Sequence, residues 1–315
     1  MDFNPYRIEP VRRNSRRCIG HDYCEPCIYM ITATERPGRP ALAFVNASAV
    51  MERTTIGEAV YQEIVGIHAF HPQIVVYALV VMPDHIHIVM HVKERLPKPL
   101  GQVLNGFFGA CSRHWQRLAA LPAVQPLFKP FNDRILWHKG QLAAMIRYVK
   151  DNPRRFIVKL KNPELFRRFN HLQAGNREFA AYGNIFLLRD FDRQQVVVHR
   201  ADSAQTRSEH MAQWMRCAAS GGVLVSPFIS PDEREIYKQA LAAHGRFVVI
   251  RNEGFSDRFK PMGHEFELCA SGRLLLIAPW PEKGAAKVTR QEALQMNDLA
   301  AFLATYEGPL ILKQS

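Results

Sequence analysis

Residues 77–92, YALVVMPDHIHIVMHV, are almost unbroken in apolar character, yet His85 and His87 sit one residue apart in their middle. Ile74–Val81 reads as a β-rich strand, Met82 to Asp84 as a tight turn, and His85–Val92 as the hairpin partner. Alternate side chains of a strand share a face, so Ile86, Ile88, Met90 and Val92 point into a core. His85, His87, Val89 and His91 point the other way. Residues 28–34 read as an earlier strand and 41–46 as a second candidate. Thr55 and Glu58 have capping-box spacing, and Ile56, Val60, Ile64 and Ile67 follow at helical spacing. Residues 100–121 carry a long helical pattern, and 133–137 (DRILW) a short strand. Residues 141–152 predict a helix that stops near Asn152, because Pro153 follows. The order β, α, β, β, α, β, α predicts an α+β, ferredoxin-like antiparallel sheet with helices on one face, plus one extra helix.

The second half has a different pattern. Residues 195–199, 223–226, 247–250 and 274–278 are short apolar strands with helical patterns between them. One helix opens with Ser230 as cap, Pro231 at its first position and Glu233 closing the box; another opens at Thr289 with Glu292. This alternation predicts an α/β, Rossmann-like open sheet. The expected domains are 1–175 and 176–315, divided within 171–182 (HLQAGNREFAAY). There is no internal repeat and no low-complexity tract.

The chain has 315 residues, 47% of them hydrophobic, enough for two ordinary domains with real cores. No run approaches the roughly 18 apolar residues of a membrane span. The first residues, MDFNPYRIEPVRRNSRR, lack the apolar stretch of a secretory signal. With that start, six cysteines read as reduced, and the expected location is cytoplasmic. The net charge of +12 is unevenly spread: residues 1–175 hold 24 Lys and Arg against 13 Asp and Glu, and 176–315 hold 17 against 16. A basic first half points to a polyanionic partner, with a solvated basic surface as the plainer explanation. The arginine-rich arm, 7–17, is expected to order on binding. Cys18, His21, Cys24 and Cys27 have the residue types of a zinc knuckle. Four ligands within ten residues leave no loop to wrap the ion, so incidental reduced cysteines are favoured.

Two histidines at i and i+2 on one strand face can reach a single divalent ion; the alternative is a hydrogen-bonded pair on a sheet face. His91 reads as structural or as surface. Tyr148 and Asn152, at i and i+4, share one helix face. A phenol beside an amide oxygen suits a nucleophile and a third metal ligand. The alternative is a half-buried tyrosine and an ordinary helix-terminal asparagine.

VMPDHIHIVMHV, followed about sixty residues later by YVKDNP, resembles the HUH single-tyrosine transposases, and most of all their REP-associated branch. HDYCEPCIYMIT and NDRIL resemble the family's first and last strands, so the likeness spans residues 21–155. Asp84 stands where relatives often have asparagine, and Cys27 where they often have glycine. The resemblance implies His85, His87 and Asn152 as ligands of Mg²⁺ or Mn²⁺, and Tyr148 as the nucleophile. It implies a metal-dependent single-stranded DNA endonuclease and strand transferase that passes through a 5′-phosphotyrosine. The implied substrate is single-stranded DNA bearing a hairpin, and a full excision by single-tyrosine sites suggests a homodimer. Arg147, Lys150, Arg154 and Arg155 are candidate phosphate contacts, and Trp115 or Trp137 candidate stacking platforms. The competing expectation is a non-catalytic or domesticated DNA- or RNA-binding descendant, against which the intact set of four residues counts. A His-x-His amidohydrolase barrel needs eight strand–helix units, which the first half cannot supply.

In the second half, GNIFLL, GGVLVSPF and GRLLLIAPW loosely resemble the nucleotide-binding-like fold of DNA processing protein A. Gly221 and Gly222 are a phosphate loop or, as favoured here, a plain turn, and Ser226 is a further candidate. No G-x-G-x-x-G or Walker sequence is present, and no organic cofactor is expected.

Overall fold

The structure, a computed structural model, describes residues 17–199, 201–257, 259–283 and 287–313. Apart from Arg17, the arginine-rich arm lies outside the described residues. The chain divides into two compact units, one up to Ile157 and one from Val158 onward.

The first unit contains β1 (Cys27–Thr34), β2 (Ala43–Val45), β3 (Met51–Arg53), α1 (Thr55–Val65), α2 (Ile67–Phe70), β4 (Ile74–Val81), β5 (His85–Val92), α3 (Leu100–Leu118) and β6 (Asn132–Ile135). The long α4 (Gln141–Lys161) follows. Four strands form an antiparallel sheet in the order β4-β5-β1-β6, while β2 and β3 pair separately. On one face Tyr29, Ile31, Ile86, Ile88 and Met90 pack with Val60 and Ile64 of α1 and with Leu104, Phe107 and Cys111 of α3. Each such aliphatic side chain, fully buried, stabilises the fold by about 1.5–3 kcal/mol. On the opposite face Met30, Ala78 and Val89 pack with Leu142, Met145, Ile146 and Val149 of α4. So α1 and α3 share a face as expected, and the extra helix covers the face that carries the histidines.

The second unit contains β7 (Arg168–Ala174), β8 (Arg177–Gly183), β9 (Arg193–Gln195), α5 (Ala204–Ala219), β10 (Val223–Ser226), α6 (Pro231–Ala242), β11 (Arg246–Ile250), α7 (His264–Ala270), β12 (Leu274–Ala278), α8 (Arg290–Thr305) and β13 (Leu310–Leu312). Seven strands run in the order β13-β7-β8-β12-β11-β10-β9. Strands β9 to β12 are parallel, and β8, β7 and β13 join them antiparallel, so the sheet is mixed. Val223 and Val225 face α8, where Met296, Leu299 and Leu303 cover them. Leu224, Phe247 and Leu276 face the other way, onto Trp214, Ile236 and Leu268 of α5, α6 and α7.

Several expectations need correction. Helix α4 runs eight residues past Pro153, to Lys161. Proline there removes one backbone donor, the one that would have met the Val149 carbonyl, and the helix continues without it. Beyond Pro153, Phe156 and Ile157 are half-buried, and Lys159 and Lys161 complement the helix dipole in the last turn. The cap of α1 is Thr54, not Thr55: its Oγ1 accepts from the Gly57 N–H at 3.2 Å. Glu58 is drawn instead to Arg53 and Gln62. Strand β9 ends at Gln195, where a strand over 195–199 was expected. The two capping boxes, Ser230 with Glu233 and Thr289 with Glu292, form as read.

Residues 158–175, read with the first half, fall in the second unit and supply β7 to its sheet. That redistributes charge. The first unit carries 20 Lys and Arg against 12 Asp and Glu, and the second 21 against 17. The basic excess is therefore larger in the first unit but no longer confined to it. No described helix is long and apolar enough to cross a membrane.

Candidate active site

Strand β5 places His85 and His87 on the sheet face beneath α4. Their ring centroids are 4.7 Å apart at an interplanar angle of 72°. Helix α4 brings Tyr148 against His87: the two ring centroids lie 5.6 Å apart. His87 is buried, at 7% exposure, while Tyr148 and His85 are half-buried. Three rings from two elements far apart in sequence, β5 and α4, therefore meet at one place. Asn152 sits one turn beyond Tyr148 and is fixed by its Nδ2 bond to the Tyr148 carbonyl. That bond uses the amide nitrogen and leaves Oδ1 as the side chain's acceptor.

Both histidines are tied at Nδ1. The His85 Nδ1 lies 2.7 Å from Asp84 Oδ1, and the His87 Nδ1 2.8 Å from Thr32 Oγ1. Thr32 stands directly opposite His87 in the β1–β5 register. Metal-binding histidines commonly carry a partner of this kind on their second nitrogen. Two imidazoles oriented at Nδ1 and one amide oxygen make a donor set that suits a divalent cation, so the residues present fit such an ion. Glu35 flanks the site. Its backbone N–H donates to the Asp84 carbonyl at 2.9 Å. Burial, and then the charge of Asp84, push its carboxyl above the ordinary range.

The candidate DNA contacts divide. On a helix of 3.6 residues per turn, Tyr148, Asn152 and Arg155 lie within about 60° of arc. The Arg155 guanidinium is 6.0 Å from the Tyr148 ring centre. Arg147, Lys150 and Arg154 are exposed on the outward side, and Arg154 is bound to Asp151 through two hydrogen bonds, at 2.6 and 3.1 Å. Trp115 is not a stacking platform. It is 7% exposed within the core of the sheet and α3, with the Arg39 guanidinium 4.4 Å from its ring. Trp137 packs on the same core and meets the His21 ring edge-on at 5.2 Å.

His91 shares the face of the pair but not the site. Its Nδ1 lies 3.0 Å from the Tyr77 hydroxyl. Among the described residues no three His, Cys, Asp or Glu side chains converge as a metal site, which includes Cys18, His21, Cys24 and Cys27. Gly221 and Gly222 form the turn from α5 into β10, where a Cβ on Gly222 would come within 2.4 Å of Asp192 Oδ2 and Cys217 Sγ. This turn is at the amino end of the parallel strands, opposite the end where such sheets bind ligands. Ser226 is fully buried, and its Oγ accepts from the Phe228 N–H at 3.1 Å.

Sequence reasoning missed the role of Thr32. The available signal was a pair of threonines, Thr32 and Thr34, on the α4-facing side of β1, and which of them meets a histidine ring is legible only once the β1–β5 register is known.

No protein-family model and no curated protein matches the sequence. Among solved structures, a REP-associated tyrosine transposase bound to a REP hairpin matches at TM-score 0.32 and 16% identity, over 42% of this chain and 70% of that one. A proposed transposase of Deinococcus radiodurans R1 matches at TM-score 0.28 and 16% identity, over 42% of this chain and 95% of that one. DNA processing protein A of Helicobacter pylori, described with its single-stranded DNA binding mode, matches at TM-score 0.30 and 15% identity. That likeness spans 40% of this chain and 57% of the Helicobacter protein. Scores of this size assign no function, which must come from the side chains.

Proposed function

We propose that the chain cuts and rejoins single-stranded DNA, with Tyr148 as nucleophile. The observation that carries this reading is the meeting of His85, His87 and Tyr148 in one cluster. On the same reading the β4-β5-β1-β6 sheet is a ferredoxin-like one, and β9 to β12 form a Rossmann-like half-sheet.

The Tyr148 oxygen attacks a backbone phosphorus and gives up its proton. The P–O3′ bond breaks, its electron pair leaves with O3′, and that oxygen takes up a proton. The products are a 5′-phosphotyrosine and a free 3′-hydroxyl. The new ester keeps the free energy of the old one, so a second 3′-hydroxyl can reverse the step and join strands without ATP. A free phenol titrates near 10 and is a weak nucleophile at neutral pH. His85, His87 and Asn152 would hold Mg²⁺ or Mn²⁺, which supplies charge stabilisation at the phosphate. Two imidazole ligands favour Mn²⁺. Arg155, beside the Tyr148 ring, would neutralise the phosphate under attack, and Arg147 and Lys150 would follow the strand outside. A hairpin-bearing strand and a homodimer are the substrate form and assembly that go with this reading.

The test uses a randomised single-stranded DNA library with Mn²⁺. Wild type should give an adduct that survives denaturation and maps to the peptide holding YVKDNPR. Tyr148→Phe should keep the fold and lower adduct yield by more than about a thousandfold. An adduct that persists in Tyr148→Phe, or maps to another tyrosine, overturns the mechanism. DNA bound without any adduct favours the non-catalytic descendant.

A further inference from the structure

Resting on that reading, we propose that Asp84 and Thr32 are positioning residues, which hold the two imidazoles so that Nε2 of each is turned to the cation. The argument begins with donors and acceptors. An ionised carboxylate only accepts, so the 2.7 Å bond between His85 and Asp84 makes Nδ1 the protonated nitrogen of His85. The lone pair then resides on Nε2. Asp84 thus selects the tautomer as well as the ring plane. Glycine or alanine at position 84 would leave both undetermined.

Thr32 acts differently. A hydroxyl donates or accepts, so its 2.8 Å contact holds the plane of His87 without dictating the tautomer. A cation on Nε2 makes Nδ1 the donor and Thr32 the acceptor. Here the strand register supplies the precision. Thr32 and His87 are paired across β1 and β5, and a one-residue slip would turn Thr32 to the other face. The two rings meet edge to face, tied at their Nδ1 atoms by partners from different segments, the β4–β5 turn and β1.

A stability role does not account for Asp84. Its side chain is 65% exposed, and exposed ion pairs contribute little to folding. Deleting Asp84 should therefore leave the melting temperature nearly unchanged and alter the site.

The experiment has two readouts on the full chain besides adduct yield. Long-range ¹H–¹⁵N correlation on metal-free protein reports each histidine tautomer, and titration with Mn²⁺ alone reports affinity. Wild type should show His85 protonated at Nδ1. Asp84→Ala should mix its tautomers and weaken Mn²⁺ binding by about 10–100-fold. Asp84→Asn, which keeps an acceptor oxygen, should fall between them. Thr32→Val should weaken binding by a smaller factor, and Thr32→Ser should restore it. Should Thr32→Val fail to fold, Thr32→Ser and the Asp84 series still decide. His85 protonated at Nε2 in wild type overturns the proposal. So does Mn²⁺ affinity that Asp84→Ala leaves intact while His85→Ala removes it. If Mn²⁺ binds through His85 with the stated tautomer and no adduct forms, the positioning holds and the strand-transfer reading fails. If the adduct forms and the Asp84 and Thr32 variants change neither tautomer nor affinity, the reverse is true. A wild type that binds no Mn²⁺ overturns both.

Discussion

Strands β5 and β12 occupy equivalent places, each with a neighbour on both sides, yet they treat polarity in opposite ways. Strand β12, LLLIA, is buried along its whole length and carries no polar side chain. Strand β5, HIHIVMHV, is almost as buried and carries three imidazoles. Each is met at Nδ1 by a different side chain: Asp84, Thr32 and Tyr77. In the second unit two of the buried polar groups, Ser226 and Glu233, serve nearby backbone instead. Ser226 accepts from the Phe228 N–H, and Glu233 from the N–H groups of Ile229 and Ser230. Polar groups that satisfy backbone complete a fold. Polar groups that gather other side chains are where chemistry should be sought. Asp133 sets the limit of that rule. It is buried at 3% exposure and binds Arg17 and Tyr23, an arrangement that fastens one segment to another and faces no reacting group.

The comparison breaks most visibly at the cores. Ile88→Ala and Leu276→Ala each remove a fully buried side chain, and each should cost about 2–5 kcal/mol. Denaturant unfolding should show similar losses. Adduct formation, measured where both variants are folded, should slow in Ile88→Ala, because Ile88 lies between His87 and Val89 on β5. It should be unchanged in Leu276→Ala. An equal slowing in both would remove the separation of chemistry from scaffold.

A smaller effect should separate the surfaces. Arg147→Ala with Lys150→Ala clears two exposed cations from the outward side of α4. Arg234→Ala with Lys238→Ala does the same on α6. For single-stranded DNA the slope of log affinity against log salt falls by about 0.7 for each phosphate that a cation no longer neutralises. The first pair should reduce it by up to about 1.4, and the second should leave it unaltered. Arg154→Ala should do less than Arg147→Ala, since Arg154 is already bound to Asp151. Equal slopes for the two pairs would show that the α4 cations touch no phosphate.

Much of this was legible in the sequence because it rests on short-range order. The two-residue alternation in β5 put Ile86, Ile88 and Met90 on one face and the histidines on the other. The capping residues marked the starts of α6 and α8. Tyr148 and Asn152 fell on one helix face by spacing alone. What escaped depends on distant partners. Strand β7 is assigned by its pairing with β8 and β13, which no local pattern reveals, so the unit boundary was misplaced. Pro153 is locally a stop signal, overridden by the half-buried apolar residues Phe156 and Ile157 beyond it. Thr32 is an ordinary strand threonine until the register sets it opposite His87. Trp115 could not be told from an exposed platform, since an amphipathic helix pattern does not say how wide its buried stripe will be.

The last difference between the two sheets concerns pH. His91 is 8% exposed on β5, with Tyr77 on one ring nitrogen and a buried Nε2 that has no hydrogen-bond partner. Protonation would bury a second N–H and a charge together. Its neighbours in register are Val75 on β4 and Ile28 on β1, neither of which compensates a charge. Burial, and then the charge of Lys93, lower its pKa from the ordinary 6.5. The unfolded chain therefore binds the proton more readily than the folded one. This contribution to stability is complete above the unfolded value near 6.5 and is lost as pH falls from there through the depressed folded value. The slope is at most about 1.4 kcal/mol per pH unit, the limit for one proton. The second sheet has no buried histidine among the described residues, and its core should be indifferent over that range. Urea unfolding of wild type and His91→Gln between pH 5 and pH 7.5, with amide exchange read separately on β5 and β12, measures the difference. Wild type should lose protection on β5 towards pH 5 while His91→Gln does not, and β12 should change in neither. A loss of the same size in His91→Gln would place the pH dependence on another group.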